Sequence, residues 1–72
     1  MKGLTGVQAA TLDFIVATIN GGGFPPSLME IAEKFNLSIA GAYLRVGALE
    51  RKGYITRTRN ARSIRPTGKS RE

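Results

Sequence analysis

SLMEIAEKFNLSIAGAYLRVGALERKGYI, residues 27–55, encodes two short helices, the turn that joins them and the start of a strand. Ser27 and Glu30 stand at capping-box spacing: the serine oxygen can accept from the backbone N–H three residues on, while the glutamate reaches back to the N–H of the cap. Leu28, Ile31, Ala32 and Phe35 follow at i, i+3, i+4 and i+7, the stripe of a helix with one buried face over residues 28–35. Asn36 tolerates the left-handed conformation that ends a helix, Leu37 can turn inward, and Ser38 caps a second helix after a turn of about three residues. In that helix, residues 39–52, Ile39, Ala42, Val46 and Leu49 line one face, and Gly53 supplies the stop. The product is a helix-turn-helix whose second helix runs straight into Tyr54 and Ile55.

Upstream, Thr5 and Gln8 form another capping box with Leu4 as the staple before the cap. Leu12, Ile15, Val16 and Ile19 continue at helical spacing with Phe14 on the flank, which predicts a scaffold helix ending near Thr18 or Ile19. Asn20-Gly21-Gly22-Gly23 then reads as a flexible loop; a glycine run that follows a helix and precedes no lysine is not a phosphate-binding loop. Phe24-Pro25-Pro26 re-enters extended, because the residue before a proline is pushed out of the helical region. Phe24 is expected to plug the core and to make a short third strand beside the hairpin. Downstream the period changes to two. Residues 54–58 and 63–65 read as antiparallel strands with Ile55 and Ile64 facing the helices, joined by a tight turn at Arg59-Asn60-Ala61-Arg62. Pro66 is expected to stop the second strand, and residues 67–72 to be a disordered basic tail. The fold class expected is α+β: a winged helix-turn-helix domain over residues 1–66, three helices followed by a two-stranded wing.

Two blocks resemble a known family. LTxxQ at residues 4–8, Ile15 and Ile19, then GFPPS at 23–27 and EIA at 30–32, are similar to the N-terminal DNA-binding domain of LexA repressors. LERKGYI at 49–55 resembles many bacterial winged-helix regulators and is less specific. The resemblance spans residues 4–66 and implies a DNA-binding repressor. It departs from the family in two places: the family has polar and acidic residues in its recognition helix, and its turn is one residue longer. LexA also carries a C-terminal self-cleaving and dimerising domain for which 72 residues have no room, so self-cleavage is not expected to come with the resemblance.

Composition narrows the function classes. A chain of 72 residues is one small domain, which buries roughly 60% of the surface its unfolded form exposes. With no Cys and no His there is no thiol nucleophile, imidazole base or expected zinc site. No carboxylate pair is spaced for acid–base work, so an enzyme is the least expected class and no cofactor is expected. No apolar run approaches the roughly 20 residues of a membrane helix, and the default location is cytoplasmic. The net charge of +6 is uneven. Residues 1–44 carry Lys2 and Lys34 against Asp13, Glu30 and Glu33. Residues 45–72 carry Arg45, Arg51, Lys52, Arg57, Arg59, Arg62, Arg65, Lys69 and Arg71 against Glu50 and Glu72. After a helix-turn-helix such a block reads as a footprint for phosphate.

Each candidate contact has a bland counterpart. Ser27, at the N-terminus of the second helix, can meet a phosphate or only cap. In the third helix Ser38, Ala40, Gly41, Tyr43, Leu44 and Gly47 project from the face opposite the apolar stripe and, with the flanking Arg45, would meet base edges in the major groove. That face lacks the Asn, Gln or Lys that direct readout usually employs. It suits thymine methyls approached by Ala40 and Leu44, recognition of groove shape with arginines supplying affinity, or a protein contact through Tyr43 and Leu44. Arg51 and Lys52 either grip the backbone or balance the helix dipole. Arg57, Arg59, Asn60, Arg62 and Arg65 decorate the wing, where guanidinium suits phosphate or a narrow minor groove. Glu50 is expected to pair with a wing arginine. The expected partner is double-stranded DNA, with homodimerisation on a palindromic site; the alternative is a protein partner on the Ala40, Tyr43 and Leu44 face. Six phosphate contacts would give a log K against log salt slope near −5, at about −0.9 per phosphate.

Overall fold

The computed structural model describes residues 4–58 and 63–69. Its elements run α1 (Gly6–Gly22), α2 (Leu28–Phe35), α3 (Ile39–Arg51), β1 (Ile55–Thr56) and β2 (Arg65–Pro66). Three helices followed by an antiparallel hairpin make the α+β winged helix-turn-helix that the sequence implies.

Both capping boxes form. Thr5 Oγ1 accepts from the Gln8 N–H at 3.1 Å while Gln8 Oε1 accepts from the Thr5 N–H at 3.3 Å. Ser27 and Glu30 repeat the exchange at 3.2 and 3.0 Å. Asn36 ends α2 at φ 56°, the left-handed region in which an asparagine costs less than other L-residues. Leu37 follows with its N–H on the Ala32 carbonyl, and Ser38 Oγ caps α3 through the Gly41 N–H at 3.0 Å.

Helix α1 is longer than its composition suggests. Asn20, Gly21 and Gly22 remain helical, and the left-handed break comes at Gly23, φ 83°, whose N–H bonds the Ile19 carbonyl. Glycine in a helix costs roughly 0.5–1 kcal/mol against alanine. The extra turn nevertheless delivers Pro25 and Pro26 into the interior, where both are fully buried. Those prolines take the place expected of Phe24, which is 67% exposed. No third strand forms among the described residues. Two consecutive prolines lack the N–H groups that a ladder needs.

The core gathers Leu12 and Ile15 of α1, Ile31 and Ala32 of α2, and Ala42, Val46 and Leu49 of α3 with Tyr54, Ile55 and Ile64 of the hairpin region. Ile15, Ile31 and Leu49 have no exposed surface, and each such burial contributes about 1.5–3 kcal/mol. Phe14 and Phe35 close the α1–α2 side edge to face, with ring centres 5.8 Å apart. Ile19 packs against this core, while Val16 stays outside it at 36% exposure.

The hairpin pairs Ile55 with Pro66 and Thr56 with Arg65. Pro66 is therefore the last residue of the second strand, and the next N–H, from Thr67, bonds the Tyr54 carbonyl at 2.9 Å. Toward the turn, Ser63 Oγ accepts from the Thr58 N–H and donates to the Thr58 carbonyl, holding the arms together where the ladder stops. The expected turn at residues 59–62 lies outside the described residues. Thr67 Oγ1 donates to the Gly53 carbonyl, and Lys69 Nζ to the Lys52 carbonyl, both at 2.7 Å. Residues 70–72 of the expected tail lie outside the description.

Candidate nucleic-acid interface

The tight turn at Asn36 fixes α2 and α3 so that the first turns of α3 carry an apolar outer face. Ala40 is exposed, Tyr43 is 53% and Leu44 68% exposed, and Gly41 sits half-buried among them. Gly41 is close to its own turn: a Cβ there would lie 3.4 Å from Ser38 Oγ. Two expectations for this helix change. Ile39 does not face the core but is 48% exposed, while Leu37, just before the cap, packs against the core instead. Gly47 does not project toward a ligand. It is buried beneath two arginines, whose Arg51 Nη1 and Arg57 Nη2 would stand 3.6 and 3.9 Å from an added Cβ.

The basic candidates separate into engaged and exposed groups. Arg45 turns away from the apolar face: its Nη1 donates to Thr11 Oγ1 at 3.4 Å and its guanidinium carbon stands 5.2 Å from the Phe35 ring centre. Thr11 is itself fully buried and donates to the Val7 carbonyl at 2.9 Å. Lys52 Nζ donates to Gln8 Oε1 at 2.7 Å, tying the end of α3 to the first turn of α1. Arg57 Nε donates to Glu50 Oε1 at 3.1 Å, the expected pairing of Glu50 with a wing arginine. Arg51 and Arg65 are exposed. Arg59, Asn60 and Arg62 lie outside the described residues.

Ser27 and Ser38 are both occupied as caps, with oxygens accepting backbone N–H groups at 3.2 and 3.0 Å. Each hydroxyl retains its proton for a phosphate oxygen. Sequence reasoning missed one exposed neighbour, Ile39. Leu37 before the cap was the available sign for Ile39, since a residue in that position commonly packs down onto the helix it precedes. A groove of about 490 Å³ between α1 and the segment that includes Tyr54, Pro66 and Lys69 contains none of the candidate contacts. Among the described residues no helix is long and apolar enough to cross a membrane.

The family model of the LexA DNA binding domain matches residues 1–63. A LexA repressor from Pseudothermotoga lettingae is 44% identical over 69 residues, covering 96% of this chain and 34% of its own length. One from Thermosipho africanus is 51% identical over 65 residues, 89% of this chain and 33% of its own. One from Leptospira interrogans is 45% identical over 60 residues, 83% and 30% respectively. The chain thus spans about a third of the length of the curated relatives it matches.

Proposed function

Because the chain belongs to the LexA DNA-binding domain family, we propose that it binds double-stranded DNA as a transcriptional repressor, a regulator rather than an enzyme, acting in the cytoplasm. The observation that carries this reading is the exposed first half of α3. Ala40, Tyr43 and Leu44 form an outer face beyond a rigidly capped turn, with the exposed cations Arg51 and Arg65 from α3 and the wing. In a winged helix that half of the third helix enters the major groove. The arginines grip phosphate or the minor groove.

Specificity in this reading comes from apolar contact more than from hydrogen bonding. Of the residues on the outer face only Ser38 and Tyr43 offer hydroxyls, and Arg45 is turned inward. One domain of this size gives a small interface, so we infer that two chains act together on a palindromic site. The family relationship favours DNA over the protein-module reading of the same face.

The test is fluorescence anisotropy of the purified chain against a random-sequence duplex pool across a salt series, followed by sequencing of the bound fraction. Enrichment of a symmetric motif, with affinity falling steeply as salt rises, is the expected result. Binding without a motif leaves a backbone or shape reader. No binding at low salt removes the DNA reading and directs the search to a protein partner for Tyr43 and Leu44.

A further inference from the structure

Tyr43, Gly47 and Glu50 stand at i, i+4 and i+7 on α3, one stripe of the helix, and the Arg57 side chain lies along it. Its Nε bonds Glu50 at 3.1 Å, its Nη2 passes over the bare backbone of Gly47, and its guanidinium carbon stands 4.6 Å from the centre of the Tyr43 ring. The side chain is only 18% exposed. A guanidinium in this position has its charge met by a carboxylate and one face covered by an aromatic ring. Moving it onto a phosphate would give up both interactions.

What Arg57 does gain is a fixed ring. Tyr43 keeps about half its surface open while one face is stacked, so the ring meets a ligand already ordered and loses little further freedom. It stands among the exposed Ala40 and Leu44, an apolar surface on which the side chains of α3 present no amide, and from which Arg45 is turned away. The apolar feature that a base pair shows in the major groove is the C5-methyl of thymine.

Resting on the DNA-binding reading above, we propose that Arg57 is a positioning residue and not a phosphate ligand: clamped by Glu50, it holds the Tyr43 ring as a specificity contact that selects thymine through its C5-methyl group.

The experiment uses the duplex that the parent chain enriches from a random pool, made once with thymine and once with uracil at the motif positions. Each is titrated across a salt series with the parent, Tyr43→Ala, Arg57→Ala and Arg57→Lys. For the parent, uracil is expected to weaken binding about 4-fold for each C5-methyl group that meets the ring, from the transfer value of one methylene-sized group. Tyr43→Ala should be indifferent to the change. So should Arg57→Lys, which keeps the charge and the aliphatic stem but neither the guanidinium over the ring nor the Nε bond. Arg57→Ala should leave the salt slope unchanged. Three results would overturn the proposal: a parent that binds the motif but ignores uracil, an Arg57→Lys variant with the parent's full uracil penalty, or an Arg57→Ala slope shallower by about 0.9. Failure of the DNA reading itself looks different, since the parent would then bind neither duplex at low salt. Circular dichroism of each variant checks that the fold is retained.

Discussion

Arg45 shows how a charged residue in a recognition helix can belong to the scaffold. Its guanidinium bonds Thr11 and lies over the Phe35 ring, so one side chain joins α3 to both other helices. A cation stacked on an aromatic contributes about 0.5–2 kcal/mol, and its aliphatic stem adds packing. Arg45→Ala is therefore expected to lower stability by about 1–2 kcal/mol in urea denaturation while leaving the salt slope of DNA binding as it was. Loss of one unit of slope without loss of stability would identify Arg45 as a phosphate contact instead. Gly53 is a second residue-scale constraint. Its φ of 86° permits the sharp exit from α3 into the hairpin, and a side chain there pays roughly 1–2 kcal/mol for the left-handed conformation. A Cβ would meet Lys69 only at van der Waals distance, with Nζ 3.7 Å away, so the cost is that of the backbone conformation. Gly53→Ala should lower the urea midpoint accordingly.

At the scale of elements, the helices are held by their ends as much as by their faces. Gln8 Oε1 accepts both the Thr5 N–H that opens α1 and the Lys52 ammonium that closes α3. The start of one helix is thereby fastened to the end of another. Within α3, Gly47 is a helix-interior glycine with an ordinary φ and nothing nearer than 3.6 Å to an added Cβ. The neighbours are the ends of two arginine side chains, at ordinary van der Waals distance. Gly47→Ala is expected to stabilise the domain by about 0.5–1 kcal/mol, the difference in helix propensity, seen as a rise in the thermal midpoint. A destabilised variant would show that the arginines cannot shift, and that the backbone of α3 needs their close approach.

For the whole molecule, the uneven charge translates into a salt dependence that depends on which cations reach phosphate. Of the seven basic candidates, Arg45, Lys52 and Arg57 are held by Thr11, Gln8 and Glu50. If the other four, Arg51, Arg59, Arg62 and Arg65, meet phosphates, the slope of log K against log salt should be about −3.6 per chain bound. A titration from low to moderate salt measures it directly. A slope near −5 would mean that held cations are released on binding, and a dimer on DNA would double either figure.

Local chemistry carried most of the architecture. Thr5 with Gln8, Ser27 with Glu30, and Asn36 before Ser38 act within a few residues of themselves, so caps, helix order and the turn between α2 and α3 were legible from spacing alone. The same holds for the inward Ile55 and Ile64 and for Glu50 pairing with an arginine of the wing. What the sequence could not convey were choices between residues far apart in the chain: Pro25 and Pro26 buried in place of Phe24, Arg45 drawn to Thr11, Arg57 laid across Tyr43 and Gly47. A side chain's periodicity states which face it occupies, but a long cation on the border of that face goes wherever a ring or carboxylate from another element receives it. That partner exists only once the helices have packed.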